Sequence, residues 1–180
     1  MMRSEPWQTA EIPGPVRALT ILKPEVAVSA INRSKHPIIV VGHEAVETEL
    51  EDAKPIDYAI RIADSTEAQV VATAHIIGEF ISRGFKRACW MSILDIANRL
   101  KDPGWGGLDG KGQYDLALFM GIPYYMEWVT LSSLKHYAPH LKTISIDRFH
   151  QPHATWSFPN ITLKDWQKQL EAIATQLERK

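Results

Sequence analysis

Apolar residues along this chain follow two alternating rhythms. After Pro37, Ile38-Ile39-Val40-Val41-Gly42 is a continuous β-branched run with no polar position. Such a run predicts a strand buried on both faces, as in a parallel sheet. Ala68–Thr73, with Val70-Val71 at its centre, Leu116–Met120 and Thr143–Ile146 also read as strands, and Ala88–Met91 is a short candidate strand. Between these runs the spacing becomes helical. A first helix is predicted over Pro24–Ser34, opened by a proline with Glu25 beside it. Others are predicted over Glu44–Glu51, over Ile56–Ala63 with Ile56, Ala59, Ile60 and Ala63 on one face, and over Ile76–Ser82, ending at Gly84. A helix through Ile93, Leu94, Ala97 and Leu100 follows, then one over Tyr125–His136 that turns Met126, Val129 and Leu134 inward. Thr162 and Asp165 form a cap pair for the last helix, where Leu163, Trp166, Leu170, Ile173 and Leu177 make one apolar stripe. Strands alternating with helices predict an α/β protein, doubly wound or three-layer, on a mostly parallel sheet.

The first 22 residues break both rhythms. Pro6, Pro13 and Pro15, with Gly14 between the last two, fix the backbone and withhold donors, so an extended arm is expected over residues 1–22. Trp7 and Ile12 are apolar enough to need a surface to lie on. Residues 23–180 are then expected to form a single α/β domain, a length that supports a core without disulfide or metal staples.

Composition narrows the functional classes. The net charge of −1 lacks the basic excess of a nucleic-acid surface. With one cysteine, Cys89, the chain cannot build an internal disulfide or a self-contained zinc–thiolate or iron–sulfur site. No apolar run approaches the roughly 18 residues of a membrane span, and no apolar segment follows Met1-Met2-Arg3-Ser4-Glu5-Pro6 as in a secretory signal. A cytoplasmic protein is expected.

In open parallel sheets, ligands bind beyond the carboxyl ends of the strands. Here those ends read Gly42-His43-Glu44, Thr73-Ala74-His75 and Gly121-Ile122-Pro123. Small residues there admit a ligand to the backbone, and helix-start amides suit phosphate; equally, they make tight turns. These nine residues are the candidate nucleotide- or flavin-binding positions. The G-x-G-x-x-G fingerprint is absent. His43 and Glu44 could also serve acid–base chemistry, although no triad or metal constellation accompanies them.

Other features are weaker. Lys101–Gly112 holds five glycines, but Trp105 stands where a phosphate-binding loop needs its first glycine, and Gly112 where Ser or Thr must hold magnesium. It reads as a flexible surface or partner-binding loop. His136, His140, His150 and His153 suggest zinc, but Pro139 and Pro152 interrupt their spacing. Cys89 precedes Trp90 within an apparent strand and reads as a buried small hydrophobe. Two aromatic clusters, Tyr124, Tyr125 and Trp128, then Phe149, Trp156 and Phe158, fit either an interface or a covered sheet edge.

Several blocks together resemble one family. They are Pro6-Trp7-Gln8-Thr9-Ala10-Glu11-Ile12-Pro13-Gly14-Pro15, Pro37–Ala45, Val71–His75, Asn98–Pro103, Leu108–Asp115, Gly121–Trp128, and Asp147-Arg148-Phe149 through Phe158-Pro159-Asn160. The family is the epsilon subunit of the archaeal acetyl-CoA decarbonylase/synthase complex, the small subunit of its carbon monoxide dehydrogenase component. The resemblance implies a fold similar to the deoxyhypusine-synthase-like NAD/FAD-binding domain. It also implies a non-catalytic role beside an alpha subunit that carries the nickel–iron–sulfur centre, in an alpha2epsilon2 assembly, stabilising alpha or helping electrons pass to FAD. It implies no catalytic residue and no metal ligand on this chain.

Overall fold

A computed structural model describes residues 16–179. Pro6, Trp7, Ile12, Pro13, Gly14 and Pro15, which carry most of the expected arm, lie outside the described residues. Within them the strands are β1 (Leu19–Thr20), β2 (Pro37–Val41), β3 (Gln69–Ala72), β4 (Ala88–Trp90), β5 (Leu116–Met120), β6 (Lys142–Ser145) and β7 (Trp156–Ser157). The helices are α1 (Pro24–Arg33), α2 (Glu44–Glu47), α3 (Pro55–Thr66), α4 (Ile77–Ser82), α5 (Ile93–Lys101), α6 (Tyr124–Tyr137) and α7 (Leu163–Glu178).

Every strand pairing is parallel, in the order β1-β7-β6-β5-β2-β3-β4. The architecture is three-layer α/β. Ile39 and Val41 face one core with α1, α3 and α7, while Ile38 and Val40 face another with α5 and α6. From β2 the chain winds outward to β3 and β4, then crosses back to β5 on the other side of β2. Right-handed crossovers travelling in opposite directions must use opposite faces, which is why α5 and α6 lie across the sheet from α3.

The apolar runs of β2, β3, β5 and β6 are largely buried strands, β4 is an exposed edge strand, and β5 matches its expected bounds. Thr162 Oγ1 accepts the Asp165 amide at 3.1 Å, so the expected cap of α7 is present. Several details differ from expectation. α2 stops after one turn because Lys54 Nζ takes the Val46 carbonyl at 2.9 Å, an acceptor that a longer helix would need. Val129 faces outward, 55% exposed, and α6 buries Glu127, Thr130, Leu131 and Leu134 instead. Leu163 is also exposed, and Ala174 joins the stripe of α7. Cys89 is exposed on the edge strand β4, not buried.

The two-residue strands β1 and β7 are too short to carry a pattern. They form through Leu19 N–H donating to Thr155 O and Ile21 N–H donating to Ser157 O. The glycine-rich loop sits at the amino end of β5, away from the strand ends that bind ligands, and it is tied down. His36 bridges Asp109 and the Gln113 carbonyl, and its ring stacks on Tyr114 at 4.1 Å.

Candidate functional site at the ends of β2, β5 and β6

The switch of winding direction falls between β2 and β5, where a crevice beyond the strand ends is the usual ligand site. Here two glycines close it. A Cβ on Gly42 would lie 2.2 Å from Gly121 O, and one on Gly121 would lie 2.3 Å from Ala45 N. Gly121 also has φ +67°, a left-handed conformation that favours glycine. Through this contact the Gly121 carbonyl accepts the Glu44 N–H at 2.9 Å, and the Gly121 N–H donates to both Asp147 oxygens at 2.8 and 2.9 Å. One residue, Gly121, thus joins three strand ends.

The open space lies one strand further along, between the ends of β5 and β6. It is a cavity of about 190 Å³ lined by Glu44, Gly121, Ile122, Tyr124, Glu127, Asp147, Arg148, Phe149, Gln151 and Trp166, among others. Two polar side chains of its lining are almost completely buried, Glu127 and Gln151, each 1% exposed. Among the described residues no donor reaches either Glu127 oxygen or Gln151 Oε1 in good hydrogen-bonding geometry, although the Ser145 hydroxyl and the Asp147 carboxyl lie beside Glu127. Gln151 is fixed from its other end, where Nε2 donates to the Tyr124 carbonyl at 3.0 Å. A roomier cavity of about 580 Å³ lies at the opposite ends of the strands, beside α1 and Leu116. None of its lining residues carries a buried polar atom without a partner, so the chemistry belongs to the smaller one.

Glu127 and Asp147 form a carboxyl pair. Burial pushes the Glu127 carboxyl well above its ordinary range, and the neighbouring charge of Asp147 adds to the effect. Burial also raises Asp147, to about 7, against the Gly121 N–H that favours its ionised form. Asp147 is therefore the member that ionises first, and Glu127 retains the proton.

The nine residues expected at the strand ends divide into groups. Glu44, Gly121 and Ile122 line the cavity, Gly42 holds the contact beside it, and Pro123 opens α6 by accepting the Met126 and Glu127 amides. His43 turns toward Glu47, at 3.9 Å. Thr73, Ala74 and His75 are separate, on the β3 side. Thr73 is bound twice to the Val41 carbonyl, Ala74 and His75 both have positive φ, and the His75 ring stacks over Trp90 at 6.5 Å.

Sequence reasoning did not find Glu127, Asp147 or Gln151. One signal was available: Glu127 shares the helical spacing of the buried Thr130, Leu131 and Leu134. Phe149 and Tyr124, from the clusters expected to form either an interface or a covered sheet edge, wall the cavity, whereas Phe158 is core. The four histidines do not converge. His150 binds the Phe158 carbonyl and His153 lies edge-on to Trp128. Among the described residues no group of three or more His, Cys, Asp and Glu side chains could hold a metal ion, and no helix is long and apolar enough to cross a membrane.

Fold and site define a parallel three-layer α/β domain whose polar chemistry gathers in one small pocket at the strand ends. Residues 1–174 match the family described as CO dehydrogenase beta subunit/acetyl-CoA synthase epsilon subunit, and the chain belongs to that family. It is 37% identical over 168 residues to the acetyl-CoA decarbonylase/synthase complex subunit epsilon of Methanothermobacter thermautotrophicus, covering 93% of each chain. Its likeness to the subunit epsilon of Methanothrix soehngenii is 36%, over 87% of this chain and 81% of that one. Subunit epsilon 1 of Archaeoglobus fulgidus is 38% identical, over 81% and 77% respectively.

Proposed function

We propose that this chain is the epsilon subunit of an acetyl-CoA decarbonylase/synthase complex: a non-catalytic partner that binds and stabilises the alpha subunit of its carbon monoxide dehydrogenase component, in an alpha2epsilon2 unit. The observation that carries the reading is the end-to-end likeness to relatives bearing that subunit name. The outer face of α6 supports it. Tyr125 and Tyr137 are each 70% exposed and Val129 lies between them, so the helix is apolar on its outward as well as its inward side. Such a helix suits burial against a partner. Co-expression with an alpha subunit and gel filtration test the assignment. A stable complex that Val129→Glu weakens is expected; separate elution of the two wild-type chains refutes it.

The finer part of the proposal is assistance in electron transfer to FAD. A cavity of about 190 Å³ is below the roughly 300 Å³ at which pockets enclose drug-sized ligands. A flavin would therefore be shared with alpha and not enclosed by this chain. Saturable quenching of FAD fluorescence by the alpha–epsilon complex, and not by epsilon alone, is the expected result. Absence of quenching in both removes the flavin role and leaves the docking role standing.

A further inference from the structure

The cavity at the ends of β5 and β6 is lined by buried acceptors, of which Gln151 Oε1 has no donor among the described residues. Glu127 and Gln151 are each 1% exposed; among the described residues the Glu127 carboxyl has only the Ser145 hydroxyl and the Asp147 carboxyl beside it, neither in good hydrogen-bonding geometry. Buried acceptors of this kind are costly unless a donor arrives from elsewhere. Apart from the Ser145 hydroxyl beside Glu127, the groups on the cavity wall that could supply one are engaged. Gln151 Nε2 is on the Tyr124 carbonyl, Gly121 N–H is on Asp147, and Trp166 Nε1 is on the Ile146 carbonyl.

The charges point the same way. Glu44 from α2, Glu127 from α6 and Asp147 after β6 face the cavity, against one cation, Arg148. Arg148 holds its guanidinium 4.0 Å from the centre of the Phe149 ring. Tyr124 is the other titratable group on the wall, and α7 contributes only Leu163 and Trp166. The aromatic rings add an environment that favours cations. The volume, about 190 Å³, suits a single head group. Among the described residues the carboxyls form no group of three arranged to hold a metal ion.

We propose that this cavity is a receptor site for a compact organic cation, an ammonium or guanidinium group, bound by the carboxyls of Glu127 and Asp147 and by the amide oxygen of Gln151. The cation competes with the proton that the carboxyl pair holds, so binding releases that proton. Affinity rises with pH while the pair is protonated and levels off once it has ionised. The inference stands apart from the subunit assignment, because the isolated full chain carries every residue involved.

The test is isothermal titration of the full chain with methylguanidinium and with n-butylammonium, in buffers of different ionisation enthalpy. Tetramethylammonium, which has no N–H donor, is the control. Saturable binding of a donor-bearing cation with proton release is expected, strengthening by up to about tenfold for each pH unit below the plateau. Glu127→Gln, with its fold verified by circular dichroism, should weaken binding at least about tenfold. If that variant does not fold, proton release and pH dependence in the wild type decide the matter. No saturable binding of either probe, equal binding of tetramethylammonium, or binding without proton release overturns the proposal. Repeating the titration on an alpha–epsilon complex separates two sources of the cation. Binding lost on assembly assigns it to a basic side chain of the partner, and binding retained assigns it to a free amine or guanidine.

Discussion

Replacing Asp147 by Asn tests the carboxyl pair through stability alone. The Asp147 pKa rises from an ordinary 3.8 to about 7, because burial disfavours the charge more than the Gly121 N–H favours it. Between those values the folded protein binds more protons than the unfolded chain. Stability contributed by this group is therefore full below the unfolded pKa and is lost as pH rises through the folded one. At about 1.4 kcal/mol for each pKa unit, the climb from 3.8 to about 7 corresponds to roughly 4 kcal/mol. The residue as a whole keeps partial exposure, and solvent screening trims this to about 2–4 kcal/mol. Asn keeps one oxygen for the Gly121 N–H but loses the second, at a cost of about 1 kcal/mol. Asp147→Asn should then be slightly less stable than wild type near about pH 4 and more stable by about 1–3 kcal/mol near about pH 8. Urea denaturation of both proteins across that range measures the difference. The comparison matters because His153, which burial lowers to about 4, gives an opposing slope. Its stability is present above the unfolded histidine pKa and lost as pH falls, and it cancels in the difference between the two proteins. A difference that does not change with pH refutes the reasoning.

Two further outcomes follow from the site and from the sheet edge. Gly121→Ala places a Cβ 2.3 Å from Ala45 N at φ +67°, so it should lower stability by about 2–4 kcal/mol in chemical denaturation; a loss within experimental error would mean that the strand-end contact is loose. Cys89 is exposed, so Ellman's reagent should titrate it fully in the native protein, and a thiol that reacts only in denaturant would contradict the position of β4.

The sheet was legible because burial on both faces leaves a continuous apolar run, and β2 and β5 have one. β1 and β7 were not, since two residues cannot establish a period and their pairing depends on contacts about 137 positions apart. The outward turn of Val129 was hidden by the composition of α6, where apolar residues occupy both faces and periodicity points nowhere. At the site, Gly42, Glu44, Gly121 and Ile122 were found through the general rule that ligands collect at strand ends. Glu127 and Asp147 escaped because a lone acid in a helix and another after a strand look like solvated residues until the fold brings them together.

That placement has a structural cause in the β6-to-β7 connection. Parallel neighbours are usually joined by a crossover of about a dozen residues or more, most often through a helix. Here residues 146–155 make the connection without one. The space that a helix would occupy beyond β6 is instead filled by Asp147, Arg148, Phe149 and Gln151, three of them polar, directed at the start of α6. Meanwhile Gly42 and Gly121 close the crevice between β2 and β5 that a doubly wound sheet normally leaves for its ligand. The two features are coupled through one residue, because the Gly121 N–H anchors Asp147 and its carbonyl anchors Glu44. A side chain at position 121 would therefore do more than strain a turn. It would move both carboxylate-bearing segments, so cation affinity and stability should fall together in Gly121→Ala, whereas Glu127→Gln should lower affinity without moving the strand ends.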